Sequence, residues 1–432
     1  MKVCVFGLWH LGSVTSACLA KRGCYVYGLD FDRKTVDRLK RGNAPLYEPG
    51  LDEVISKAIK DKFLNFSTDP RTAVSDADFI WITFDTPVDE NDKADIEFLR
   101  KNIFKIMPYI KDGVGVVISS QVPVGFTRGI AKVYLQKYPN KRVHFAVSPE
   151  NLRLGKAMEV FLDPDRIIVG ISDDEAKKKF TPLFHSVSRK VEWMTVESAE
   201  MTKHAINSFL ALSVCFANEI ASICEKTGAD AKEVERGLKT ECRIGPKAYV
   251  GPGVAFSGGT LARDINFLNN LSRRYRLPSF LIKSVNASND FHKNWITRRC
   301  RDIFRTLKGR HFAFLGLTYK PGTDTLRRSF AVETAKSFYT QGAHVSTFDP
   351  AVKTISGPLK KILTLKNSVS GAVEGSDAVL IMTPWPRFRE LSRAEIDLIS
   401  RRVVIDPSGF LRDIFLDKAD KYFAVGQVKA KR

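Results

Sequence analysis

No Cys-x-x-Cys pair occurs anywhere in the 432 residues; the seven cysteines, Cys4, Cys18, Cys24, Cys215, Cys224, Cys242 and Cys300, are scattered and odd in number. That spacing excludes a disulfide-stapled scaffold and a zinc ribbon, so no metal is expected, and it points to reduced thiols in a reducing compartment. No uninterrupted apolar run reaches the ~18–20 residues of a membrane span. The N-terminus lacks a cationic stretch followed by a hydrophobic signal segment, so a cytoplasmic protein with no membrane partner is expected. Basic residues are not gathered into blocks: 68 Lys and Arg against 48 Asp and Glu give a formal charge of +20, spread along the chain apart from the tail Lys429–Arg432. With no reading helix and no aromatic stacking platform, such charge suits phosphate-rich small molecules, and no nucleic-acid partner is expected.

What is present is length and alternation. With 44% apolar and 10% aromatic residues, 432 residues can bury two or three cores, since single cores stop growing at roughly 250–300 residues. Lys2-Val-Cys-Val-Phe-Gly7, a helical stretch to about Arg22 and Tyr25-Val-Tyr-Gly-Leu-Asp30 form a βαβ pattern whose strands are too apolar to face water. Strand-like runs continue at Phe79–Thr83, Val114–Ile118, His144–Val147 and Arg166–Val169. From Val196 to Thr227 the pattern becomes one long helix closed by Gly228, with Asp230 and Glu233 marking the start of the next. The last third restarts the first theme at His311–Gly316, His344–Asp349, Asp377–Thr383 and Val403–Asp406. Ser75–Thr83 and Ser376–Thr383 read as equivalent positions. The expected fold is α/β, two Rossmann-like doubly wound parallel sheets joined by a central helical domain with a long helix. The expected divisions are 1–192, 193–300 and 301–432.

The turn after the first strand is Gly7-Leu-Trp-His-Leu-Gly12, with Trp9 where a dinucleotide fingerprint has its middle glycine. Glycines there let the backbone bend and approach a pyrophosphate at a helix N-terminus. Asp30 follows Gly7 by 23 residues at the end of the next strand, where a carboxylate binds a ribose diol and repels a 2′-phosphate, favouring NAD over NADP. The plainer alternative is a turn shaped by two glycines and a helix capped by Asp30. Cofactor-binding candidates are Gly7, Leu11, Gly12, Asp30, Thr86 and Gln121.

On the long helix, Glu200-Met-Thr-Lys-His-Ala-Ile-Asn207 sets Lys203 and Asn207 four residues apart, on one face, so both can converge on one oxygen. A lysine alone on a helix is more often solvated surface. Further blocks are Ser120-Gln-Val-Pro-Val-Gly125, Pro149-Glu-Asn-Leu-Arg-Leu-Gly155 running on to Pro164-Asp-Arg-Ile-Ile-Val-Gly170, and Glu241-Cys-Arg-Ile-Gly245. Pro252-Gly-Val-Ala-Phe-Ser-Gly-Gly-Thr-Leu-Ala-Arg-Asp264 and Gly316-Leu-Thr-Tyr-Lys-Pro-Gly-Thr-Asp324 with Arg327 complete the set.

In this order, over nearly the whole chain, the blocks resemble those of the UDP-glucose/GDP-mannose dehydrogenase family, the nucleotide-sugar 6-dehydrogenases. The resemblance implies catalytic roles for Lys203, Asn207, Asp264 and Glu150, with Thr260 standing where the family has its nucleophilic cysteine. It implies substrate contacts at Asn151, Leu152, Arg153, Arg243 and Phe256, and at Gly258, Lys320 and Arg327. Gln121 replaces a threonine that helps hold the catalytic water, Leu154 replaces a second glutamate, and Ser408 stands in place of an arginine in Asp406-Pro-Ser-Gly-Phe410. A homodimer through the central helices is the family expectation.

Oxidising a primary alcohol needs a route for the hydroxyl proton, stabilisation of the alkoxide and a hydride acceptor, and all are present. The family's second oxidation passes through a cysteine thioester, for which a threonine hydroxyl is no equivalent. Three outcomes stand open: completion to the acid through the hydrated aldehyde, a stop at the 6-aldehyde, or a non-catalytic nucleotide-sugar-binding protein.

Overall fold

The computed structural model describes the chain except for residues 88, 90–93, 258, 356, 416–420 and 428–432. The chain divides into two compact units, Met1–Ala205 and Ile206–Arg432.

In the first unit, eight strands form one sheet: β1 (Lys2–Phe6), β2 (Tyr25–Leu29), β3 (Leu64–Ser67), β4 (Phe79–Ile82), β5 (Gly115–Ile118), β6 (His144–Val147), β7 (Ile167–Ile171) and β8 (Val191–Thr195). Their order is β3-β2-β1-β4-β5-β6-β7-β8. The central strands are apolar along their length because both sheet faces are covered. Alternate residues of β1 enter different cores, Val3 and Val5 on one face and Cys4 and Phe6 on the other. Helix His10–Lys21 crosses over one of these faces and is buried from Leu11 to Ala20. β7 pairs antiparallel to β6, a departure from an all-parallel sheet. The intervening segment keeps to the carboxyl edge, where it builds the Pro149–Gly155 loop and helix Ala157–Leu162, so the next strand returns in the opposite direction.

In the second unit, β9 (His311–Leu315), β10 (His344–Phe348), β11 (Thr364–Leu365), β12 (Ala378–Ile381), β13 (Val403–Ile405) and β14 (Lys421–Phe423) order as β11-β10-β9-β12-β13-β14, all parallel. β9, β10 and β12 repeat the arrangement of β1, β2 and β4. The repeat reaches single bonds: the Leu8 N–H donates to Asp30 at 2.7 Å, and the Leu317 N–H donates to Asp349 at 2.7 Å.

One continuous helix, Val196–Thr227, starts in the first unit and ends in the second, and Gly228 closes it at φ +88°. It is long and apolar enough to cross a membrane by length and composition alone, a test that a core helix also passes. Asn207, Asn218 and Glu219 interrupt its apolar run in sequence, and half of its most apolar window is buried inside the structure. Asp230 caps the next helix, Ala231–Thr240, by accepting the Lys232 N–H.

Candidate active site

The first sheet reverses its strand order between β1 and β4, and in open sheets ligands bind at the carboxyl ends of the strands flanking that point. Gly7 follows β1 at φ +98°, and a Cβ there would stand 2.9 Å from the Phe84 nitrogen. A Cβ on Gly12 would stand 1.8 Å from the Gly7 carbonyl oxygen. Neither position admits a side chain, so helix His10–Lys21 begins hard against the turn, as a pyrophosphate cradle requires. Trp9 is the residue before that helix, and its indole is 47% exposed, turned to solvent rather than packed into the turn.

One Asp30 oxygen accepts the Leu8 N–H at 2.7 Å and the other the Asp32 N–H at 2.9 Å. Each carboxylate oxygen has a second lone pair for a ribose hydroxyl. The cap of the following helix, Arg33–Lys40, is Asp32, so Asp30 is not a helix cap. Beyond β4 and β5, Thr86 and Gln121 are buried, and the Thr86 hydroxyl donates to the Gln121 carbonyl at 2.7 Å. This cradle fits NAD.

Still in the first unit, the start of the long helix fastens two loops. Lys203, nearly buried, donates from Nζ to the Glu150 carbonyl at 2.5 Å and lies 3.4 Å from its carboxylate. The Glu150 carboxylate also accepts the Leu152 N–H at 2.8 Å. Glu200 accepts the Gly125 and Thr127 N–H groups at 2.6 and 3.0 Å, and His204 Nε2 lies 2.9 Å from the Val122 carbonyl. Burial holds the Glu200 carboxyl above its usual range. A cavity of about 80 Å³ has Leu11, Glu150, Asn151 and Leu152 in its wall, so it joins cofactor and substrate candidates. Arg153 is exposed at the loop's outer edge.

In the second unit, Asn207 donates from Nδ2 to the fully buried carboxylate of Asp264. Thr260 is the second residue of helix Gly259–Arg274, four residues before Asp264, and is exposed. Helix Gly259–Arg274 carries no cysteine. Cys215, eight residues after Asn207, packs with Ala211, Ile265 and Val285 and donates to the Val285 carbonyl at 3.4 Å. Burial pushes its thiol up.

Buried polar side chains shape the backbone leading to Thr260. Asn218 accepts the Gly253 N–H at 2.9 Å, and His292 Nε2 meets the Gly253 carbonyl at 2.7 Å. Asn289 accepts the Phe256 N–H at 3.0 Å and donates to its carbonyl at 2.9 Å. Tyr319 reaches the Ser257 carbonyl at 3.4 Å, and Ser408 packs beside Gly253. The Lys320 carbonyl accepts the Thr318 hydroxyl at 3.3 Å. Arg327 is exposed on the segment before helix Phe330–Thr340. Arg243 is also exposed and pairs with Glu241 at 2.8 Å. Gly258 lies outside the described residues. Among the described residues, no cluster of three or more His, Cys, Asp or Glu could hold a metal ion.

Sequence reasoning passed over Glu200, Asn218, Asn289 and Asp349. Only Asp349 had a signal, the equivalence of His344–Asp349 with Tyr25–Asp30. The others are polar residues inside helices whose partners lie far away in the chain.

Three segments match a single family: residues 1–188 the UDP-glucose/GDP-mannose dehydrogenase family NAD binding domain, residues 197–291 its central domain, and residues 313–413 its UDP binding domain. UDP-glucose 6-dehydrogenase TuaD of Bacillus subtilis is 32% identical over 94% of this chain and 88% of its own length. UDP-glucose 6-dehydrogenase of Rickettsia felis is 34% identical over 99% and 96%. A solved UDP-glucose dehydrogenase from Pyrobaculum islandicum superposes with a TM-score of 0.90 at 29% identity, covering 98% of this chain and 97% of that one. The chain belongs to the UDP-glucose/GDP-mannose dehydrogenase family, as an NAD-dependent nucleotide-sugar dehydrogenase with an NAD-binding domain and a UDP-binding domain.

Proposed function

We propose that this chain oxidises the C6 primary alcohol of a nucleotide sugar, UDP-glucose or a related UDP-hexose, to the uronic acid without a cysteine thioester. The observation that carries this reading is a pair of contacts on one helix: Lys203 on Glu150 and, one turn later, Asn207 on Asp264. An ammonium and an amide at that spacing stabilise an oxygen on its way to alkoxide, and Asp264 takes or orients the hydroxyl proton through water. NAD, when bound at Gly7, Leu11, Gly12, Asp30, Thr86 and Gln121, supplies the hydride acceptor. For the second oxidation Glu150 or Asp264 acts as base on the hydrated aldehyde.

Asn151, Leu152, Arg153 and Phe256 are assigned to the sugar side of the substrate, and Arg243, Gly258, Lys320 and Arg327 to the rest of it. The names of the relatives favour UDP-glucose among the possible substrates. We assign residues 1–192, 193–300 and 301–432 to NAD binding, the central helices and nucleotide-sugar binding. Phe209, Phe216 and Ile223, exposed at seven-residue spacing on the long helix, support a homodimer through the central helices. The seven free cysteines support a cytoplasmic place of work.

A second reading, a single oxidation ending at the 6-aldehyde, is favoured by the Thr260 hydroxyl standing where a thiolate would be needed. The deciding measurement is NADH formed per UDP-glucose consumed, with mass analysis of the product. Two equivalents and an acid support the first reading, and one equivalent and an aldehyde the second. No turnover of any UDP-hexose in a panel would overturn both.

A further inference from the structure

Glu48 lies outside every block that carries the chemistry, yet its carboxylate is nearly inaccessible and has three partners. One oxygen accepts the Ala157 N–H at 2.7 Å. The other accepts the Gly155 N–H at 2.8 Å and lies 2.9 Å from His10 Nε2. His10 opens the helix that starts from the Gly7–Gly12 turn, whereas Gly155 and Ala157 end the loop bearing Glu150 and open helix Ala157–Leu162. At the other end of the two helices, Arg22 donates to the Leu162 carbonyl at 2.6 Å. Helix Ala157–Leu162, packed against helix His10–Lys21 in one apolar core, is therefore also tied to it by hydrogen bonds at both ends, at one of them through a single buried carboxylate.

We propose that Glu48 is a positioning residue that couples occupancy of the dinucleotide turn, through His10, to the geometry of the Glu150 loop. The inference rests on the assignment of the Gly7–Gly12 turn to NAD. A cofactor that orders the first turn of helix His10–Lys21 restricts the imidazole, the imidazole fixes the carboxylate, and the carboxylate fixes two backbone N–H groups of the loop. Binding that rigidifies one site then lowers the ordering cost at the other, and such coupling is reciprocal. A buried charged acceptor suits this role because its bonds are short, directional and costly to leave unmade.

Amide hydrogen exchange of the full chain, resolved on peptides covering residues 7–14 and 150–158, tests the link with NAD as the only added ligand. In the unsubstituted protein NAD is expected to slow exchange in both segments, by about tenfold or more. His10→Phe keeps the ring volume and both backbone bonds to Glu48 but lacks the imidazole N–H. In that variant protection of 7–14 persists, and the NAD-dependent protection of 150–158 falls to about onefold. His10→Gln, whose amide N–H can reach Glu48, is expected to restore it, a rescue that a merely structural role would not require. Equal protection of 150–158 in His10→Phe and the parent protein overturns the proposal. So does a response confined to 7–14 in the parent protein, while no response in either segment removes the turn assignment and the proposal with it.

Discussion

Lys203 grips Glu150 through two different atoms, donating to its backbone carbonyl at 2.5 Å and lying 3.4 Å from its carboxylate. The carbonyl bond places the loop, and the carboxylate contact places a charge. Position and chemistry are thus separable by substitution. Glu150→Gln keeps the first and removes the base, so the first hydride transfer should stay within about threefold while acid formation falls by about 10²-fold or more. NADH per UDP-glucose should drop from two toward one, with aldehyde detected by mass analysis. An unchanged yield of acid would pass the base role to Asp264.

Asn207→Ala removes a donor from the buried Asp264 carboxylate. It should lower kcat by about 10²–10³-fold and stability by about 1–3 kcal/mol, the cost of losing one hydrogen bond to a buried charged group. NAD affinity, measured by calorimetry, should not move. A loss of NAD binding of the same size would show that the residue serves the cofactor instead.

Thr260→Cys puts a thiol in the first turn of helix Gly259–Arg274, where the helix end favours the thiolate. Rapid quench during turnover with UDP-glucose should then trap a protein mass increase of one acylated nucleotide sugar, absent from the parent protein. An adduct on the parent protein would contradict the thioester-free route.

Burial alone would raise the Glu48 pKa, but the bonds from His10, Ala157 and Gly155 overcome it, and the carboxyl lies below its usual value of 4.5. A depressed folded-state pKa means that the unfolded chain binds the proton more tightly, so this stability is present above 4.5 and lost as pH falls below it. Glu48→Gln should cost about 2 kcal/mol near neutral pH, and the gap from the parent protein should narrow as pH drops below the ordinary glutamate value. Thermal unfolding at two pH values checks this; a gap that widens on acidification would refute it.

Cys242 alone among the seven cysteines is exposed. One equivalent of a thiol reagent should react quickly with the native protein, leaving seven less one, six, for the unfolded chain. Burial pushes the Cys18 thiol up to about 12 and raises that of Cys215, so neither should compete. Fast labelling at Cys215, located by peptide mapping, would reopen the question of a substitute nucleophile.

The two sheets, the long helix with Gly228 at its end and the Asp230 cap were all readable before any coordinates, because each is written in neighbouring residues. The direction of β7 was not. An apolar run such as Arg166–Val169 states that it is a strand but not which way it pairs, and that depends on where the Pro149–Gly155 loop leaves the chain. At the site, the spacing of Lys203 and Asn207 marked both residues, but nothing in it pointed to a backbone carbonyl as the partner of the lysine. Asn218 and Asn289 read as unremarkable helix residues until the Gly253–Phe256 backbone is seen bonded to them.

By itself the amino-acid sequence determined the central strands of both sheets, the long helix and the one-turn interval of the catalytic candidates, since periodicity, caps and turn glycines act over a few residues. Tertiary structure alone decided which groups meet: Asn207 with Asp264, Glu48 with a loop 107 residues away, Thr260 exposed and Cys215 sealed in an apolar cluster. Those pairings depend on how distant segments pack, and no short-range pattern records which side chain will lose its water to which partner.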